Sequence, residues 1–189
     1  MSLAAWPADR GCYGHVAARS SILRAMHEIR TQVDIAAGAS LVWSVLTDFS
    51  RYPTWNPTIR GVEGDLSRGA TLRIAERVPV APKPGPQRNK PPTVRKTVGT
   101  LEHIREPRQL TWTETSRLGG LLGTQRRFSI ESLPDGNVRF HQVERIRGML
   151  APFVWRKLSR EHGPAFERMN RALKARAERA ASSAPRTEG

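Results

Sequence analysis

An α+β domain with an antiparallel sheet is the fold class this sequence predicts, and three observations carry it. Apolar and polar residues alternate, strand-like, in several separate stretches through the middle of the chain. A short helical pattern lies ahead of most of them and a long one follows them all. The 189 residues suit a single domain. Strands bounded by helices, rather than alternating with them, indicate α+β architecture.

Taken in order, residues 1–25 show weak periodicity, with Pro7, Gly11 and Gly14 scattered through, and read as a loosely structured arm. The pattern sharpens at Met26, so the domain is expected to span 26–181. Residues 27–36 alternate at Ile29, Val33 and Ile35 and read as a strand. Gly38 and Ser40 precede Leu41, Val42, Trp43, Val45, Leu46 and Phe49, a helical spacing with a cap ahead of it. Pro53 and Pro57 are expected to end that helical region. Residues 61–69 read as a strand-connecting turn, and 70–78 as a strand. Residues 79–92 hold six prolines and no acid, which makes an extended loop. Strands follow at 93–105 and 109–115, separated by Glu106-Pro107. Gly119, Gly120 and Gly123 mark a turn before a strand at 124–132. Pro134-Asp135-Gly136-Asn137 is a hairpin turn, and 138–147 is the last strand. A long helix is predicted over roughly 154–181, where Leu158, His162, Phe166, Met169 and Leu173 make one stripe. Gly163-Pro164 interrupts it, and a proline inside a helix costs about 3 kcal/mol or more, so a kink or break is expected there. Residues 182–189 read as a disordered tail. The predicted order is strand, helix, a run of strands, long helix.

Composition excludes several classes. Cys12 is the single cysteine, so intramolecular disulfides and cysteine-based zinc sites fall out. The five histidines show no metal-ligand spacing, and no phosphate-binding glycine loop is present. Nothing in the residues calls for a cofactor. No run approaches the ~20 apolar residues of a membrane span, and the first 25 residues hold no secretory h-region. The expectation is a soluble, cytoplasmic protein. Lys and Arg outnumber Asp and Glu by 31 to 17, a net charge of +14. That excess fits either an anionic partner or plain solubility charge.

The strand at 138–147 has two unlike faces. Val138, Phe140, Gln142, Glu144 and Ile146 point one way, and Arg139, His141, Val143, Arg145 and Arg147 the other. The first face is inside, yet it carries Gln142 and Glu144. Neighbouring strands repeat the pattern: Leu110, Trp112 and Glu114 share a face, as do Arg126, Phe128 and Ile130, and Leu72, Ile74 and Glu76. An apolar face with a few placed polar groups fits a lined cavity. It also fits a packed core with buried ion pairs. Arg126 and Glu144 are the preferred polar pair. Paired with Arg126, Glu144 stays ionised; unpaired, it is protonated and available as an acid. His162, on the helical stripe, either hangs into the interior as an acid/base group or is simply packed. Asp48 reads as a hydrogen-bond acceptor at the end of the first helix.

An ordered set of motifs resembles a known superfamily. The set begins with Val42-Trp43-x-Val45-Leu46-Thr47-Asp48-Phe49 and Tyr52-x-x-Trp55-Asn56-Pro57. It continues through Gly69, Glu106-Pro107-x-x-Leu110-x-Trp112, Phe128-x-Ile130-Glu131 and Asp135-Gly136. Glu144-x-Ile146-x-Gly148 and Asn170-x-Ala172-Leu173-Lys174 complete it. Together they resemble the START-like, helix-grip superfamily in its polyketide cyclase/dehydrase branch, over residues 27–180. The resemblance implies a seven-stranded antiparallel sheet curled around the long C-terminal helix. It also implies two short helices near 39–48 and 50–54, and an internal cavity. In that setting Tyr52 to Pro57 is a structural turn.

Three functions follow as expectations. The first is binding, with transfer in some cases, of a hydrophobic small molecule such as a lipid, quinone or polyketide, an anionic one included. Trp43, Leu72, Ile74, Leu110, Trp112, Phe128, Ile130, Phe140, Ile146, Phe166 and Met169 would form the walls. Arg126, Gln142, Glu144 and Glu114 would orient the ligand. The second is a polyketide cyclase or dehydratase using Glu144, Arg126 and His162. The third is an interaction module working through the basic surface. Residues 79–99 hold Lys83, Arg88, Lys90, Arg95 and Lys96 with no acid, which suits transient contact with an anionic membrane. Nucleic acid is disfavoured, because the loop lacks stacking aromatics.

Overall fold

The structure, a computed structural model, describes residues 27–78, 93–115 and 121–183. The expected arm at 1–25, the proline-rich loop at 79–92 with Lys83, Arg88 and Lys90, the glycine pair at 119–120 and residues 184–189 lie outside the described residues. The elements are β1 (Glu28–Ile35), α1 (Ala39–Thr47), a 3-10 turn (Phe49–Arg51), α2 (Tyr52–Trp55), β2 (Ile59–Glu63), β3 (Thr71–Arg77), β4 (Val94–Arg105), β5 (Gln109–Thr115), β6 (Gly123–Ser132), β7 (Val138–Arg147) and α3 (Ala151–Ser183).

The seven strands form one antiparallel sheet in the order β1-β7-β6-β5-β4-β3-β2. Consecutive strands from β2 to β7 are meander neighbours, and β1 closes the row against β7. The sheet curls around α3, which packs on β1, β7 and α1. This is the predicted α+β helix-grip. Alternation predicts the sheet faces well: Leu110, Trp112, Glu114, Arg126, Phe128, Ile130, Val138, Phe140, Gln142, Glu144 and Ile146 are all buried. Val143 departs from the pattern. It lies on the outer face yet is buried, between the register neighbours Arg30 and Arg127, whose long stems can cover it.

Four local expectations need correction. The stretch beginning at Gly61 is not all turn, since Ile59–Glu63 pairs with β3. Three glycines and two acids between residues 61 and 69 hid that short edge strand. Pro53 does not end a helix but stands in the first turn of α2, where its missing N–H costs nothing. Ser40 lies inside α1, and Gly38 is the N-cap, its carbonyl accepting from the amides of Leu41 and Val42. Finally, α3 continues unbroken through Pro164. Side chains before and after the proline are buried, among them His162, Ala165, Phe166 and Met169. The Thr58 hydroxyl also donates to the Ala165 carbonyl at 3.1 Å. Packing on both sides outweighs the lost backbone bond.

The α1–α2 corner holds itself in place. Tyr52 is fully buried and its hydroxyl donates to the Leu46 carbonyl. Asn56 Oδ1 accepts from the amides of Thr58 and Ile59 at 2.9 and 2.8 Å. Asp48 accepts from the Ser50 hydroxyl at 2.6 Å. Among the described residues, no helix is long and apolar enough to cross a membrane.

Candidate functional site

The site is a polar belt inside the grip. Register places Glu144 on β7 directly opposite Arg126 on β6, with Trp112 of β5 next in the row. One row along, Thr31, Gln142, Phe128 and Leu110 stand side by side. The belt separates two apolar clusters. The larger holds Trp43, Leu72, Ile74, Leu110, Trp112, Phe128, Ile130, Phe140, Met169 and Leu173. The smaller holds Ile29, Ile146, Ala151 and Phe166, with Val154, Trp155 and Leu158 packed on it.

Arg126 is the hub. Its guanidinium is buried and donates from Nη1 to Glu76 Oε1 and from Nη2 to Glu144 Oε1, both at 2.9 Å. It also lies 5.0 Å from the centre of the Phe166 ring, an additional cation–π contact. Burial works against its charge, but Glu76, Glu144 and Glu114 outweigh burial and hold its pKa above the usual arginine range.

Glu144 carries the second branch. Its Oε2 lies 2.8 Å from Nδ1 of His162, which α3 delivers from the other side of the core. Burial alone would raise the Glu144 pKa. The charge of Arg126 and the His162 hydrogen bond reverse that and bring it to about 2. Of the two states left open by the sequence, Glu144 is therefore the ionised one. It is an acceptor and an orienting group, not an acid near neutral pH.

Glu114 stands apart from this chain. It accepts from Trp112 Nε1 at 3.0 Å and from the Thr97 hydroxyl at 2.6 Å. Glu76, noted only as an inward charge, joins the site fully: besides Arg126 it pairs with the half-exposed Arg95 at 3.1 Å. Asn170 and Thr31 were missed. The Asn170 amide donates to the Thr31 hydroxyl at 2.9 Å. The available signal was position, since Asn170 follows the stripe residue Met169.

Several buried polar atoms have no partner among the described residues. Both ends of the Gln142 amide are among them, as are Nε of Arg126 and Oδ1 of Asn170. Gln142 is fully buried. An unpartnered buried amide costs roughly 1–3 kcal/mol, so this one asks for an explanation.

The expected wall residues are buried together, and many touch. Trp112 meets Phe128 edge-on at 5.0 Å, and Phe128 stacks on Phe140 at 5.8 Å. Ile146 and Phe166 belong to the smaller cluster instead. A depression of about 460 Å³ lies elsewhere, lined by outer-face residues including Arg127, Ser129 and His141.

The family described as polyketide cyclase / dehydrase and lipid transport matches residues 26–178. The chain belongs to that family. Solved structures agree on the fold. A START superfamily protein from Mycobacterium smegmatis is 22% identical, with a TM-score of 0.60, covering 82% of this chain and 99% of its own. The Zhui aromatase/cyclase from Streptomyces sp. R1128 is 16% identical at TM-score 0.60, covering 84% of this chain and 97% of its own. The di-domain aromatase/cyclase StfQ from the steffimycin biosynthetic pathway is 12% identical at TM-score 0.61, and the match spans 88% of this chain and 56% of that one. No curated protein matches the sequence. In this polyketide cyclase/dehydrase family member, then, the three candidate acid/base residues converge on one carboxylate, and the apolar candidates surround them.

Proposed function

We propose that the chain binds a hydrophobic small molecule, of the lipid, quinone or polyketide kind, between the sheet and α3. The observation that carries this reading is Gln142. A fully buried amide with neither end partnered is suited to a ligand that brings its own carbonyl or hydroxyl. The idle Arg126 Nε and Asn170 Oδ1 lie in the same belt and widen the match. The aromatic and aliphatic side chains on both sides would hold the rest of the molecule, at ~25 cal/mol per Å² of apolar surface buried. Entry requires α3 and the sheet to part, because the wall side chains now touch.

A second reading has its own support in the His162–Glu144 contact. A carboxylate on one ring nitrogen orients a histidine for proton transfer at the other. That arrangement suits an aromatase/cyclase-type reaction, the activity named for two structural neighbours. In it His162 moves the proton, Glu144 positions it, and Arg126 holds a developing oxyanion.

Native mass spectrometry of the freshly purified protein, with solvent extraction, tests the first reading. A released lipid, quinone or aromatic compound is expected. Gln142→Leu should lose that compound while raising the melting temperature, since it removes two unpartnered polar atoms. A bare protein that also fails to take up added polyketide or quinone would sink the reading. Turnover abolished in Glu144→Gln with ligand retained would favour the second.

A further inference from the structure

A different part of the molecule carries an interaction surface. Where β7 passes into α3, large apolar side chains stand in solvent. Phe153 is 83% exposed, Met149 77% and Leu121 44%. Leu121 is tied to this corner by its carbonyl, which accepts from the Leu150 amide at 3.1 Å. Scattered apolar residues are ordinary on a protein surface, but three gathered at one corner are not.

Along this stretch of chain the charge has one sign. From Arg145 to Arg160 the chain holds no acid at all. Phe153, Arg156, Lys157 and Arg160 are spaced by 3, 4 and 7 residues along α3, so they share one face, and all four are exposed. Arg147 adds a further exposed cation just before the helix. The opposite face of the same turns, Val154, Trp155 and Leu158, packs on the smaller apolar cluster. The first turns of α3 thus present an apolar tip, a basic stem behind it, and a firm seat beneath.

We infer that this corner docks on an anionic lipid bilayer, with Met149 and Phe153 entering the acyl boundary and Arg147, Arg156, Lys157 and Arg160 meeting lipid phosphates. An apolar tip with basic flanks is the pattern of interfacial membrane contacts. A protein partner fits less well. Stable protein interfaces bury upwards of about 1,000 Å² in total, and their fully buried centres are poor in charge, whereas this tip is small and has a dense basic stem. The surface is separate from the interior belt and holds whether or not a ligand binds there.

Co-sedimentation of the full chain with vesicles tests it, using mixed phosphatidylglycerol and phosphatidylcholine against phosphatidylcholine alone. Binding to the anionic vesicles and not the neutral ones is expected, weakening as salt rises. Each basic residue near an anionic surface contributes about fivefold, so replacing Arg156, Lys157 and Arg160 by Gln should weaken binding by about a hundredfold. Met149→Ser with Phe153→Ser should weaken it at least tenfold and leave salt-resistant binding undetectable. These positions are exposed, so the variants should keep the wild-type melting temperature. Failure of the wild type to bind anionic vesicles at low salt overturns the inference. So does binding that the Met149/Phe153 variant leaves unchanged, or equal affinity for a soluble polyanion such as heparin. A dimer in light scattering that this variant splits, with vesicle binding intact, would assign the corner to a second copy instead.

Discussion

Arg126 sets the charge balance of the interior. It alone stands between the buried carboxylates of Glu76 and Glu144. Arg126→Met would leave both without their buried counter-charge, and breaking such a pair costs roughly 3–5 kcal/mol. The urea midpoint should fall by the corresponding amount. Arg126→Lys should recover only part, because one ammonium cannot span both carboxylates as a planar fork does. Wild-type stability in Arg126→Met would show the network to be energetically idle. The Glu144 carboxyl also ties stability to pH. Its folded pKa lies below the ordinary glutamate value, so its contribution is complete above about pH 4.5 and is lost as the pH falls towards about 2. Urea midpoints taken across that window should drop in the wild type, and the drop should shrink in Glu144→Gln. Period-two alternation made the inward direction of Arg126, Gln142 and Glu144 legible, because it needs only local residues. The Arg126–Glu76 contact was not legible. Its partners are 50 residues apart on strands that are not neighbours in the sheet, and only the curl brings them together.

At the scale of elements, the joint between β7 and α3 decides how the helix enters the grip. Gly148 has φ +108°, a backbone region closed to most side chains. An added Cβ would also fall against the Leu121 carbonyl. Gly148→Ala should therefore destabilise by about 1–3 kcal/mol, read as a lower thermal midpoint, and should loosen the first turns of α3 before the rest. Hydrogen exchange that stays uniform along α3 in this variant would contradict that. Long, regular elements were readable with little error: β5 and β7 occupy the predicted ranges, and β4 and β6 shift by one residue at a single end. Of the short ones, the two helices expected near 39–48 and 50–54 are present, the second legible only through the resemblance, and β2 was not read at all. β2 offers five residues with a glycine in the middle, too few for a pattern to emerge. The 3-10 turn and α2 are shaped by the buried Tyr52 and Asn56 rather than by propensity. In α3 the proline argument was sound chemistry overruled by packing, which no local window contains.

Across the whole molecule, the core divides into a larger cluster under α1 and the sheet centre and a smaller one under the start of α3, with the charged belt between. The two patterns behind this division, apolar stripe and inward charges, were both visible in the sequence. Their arrangement as layers depended on strand register, which was not. Net charge was visible too, and so was the spacing that sets Arg156, Lys157 and Arg160 on one face of the last helix; the exposure of Phe153 beside them was not. One feature ties these levels together. Pro164 lies within α3 just beyond His162 and has no N–H to offer the Arg160 carbonyl four residues back. The helix therefore has a missing rung between the half that carries the basic stripe and the half locked into the larger core. Mechanically it is a lever with its weak point at the fulcrum. Load applied at Phe153 is therefore expected to bend the helix there first, between the turns packed on the smaller cluster and those held in the larger one.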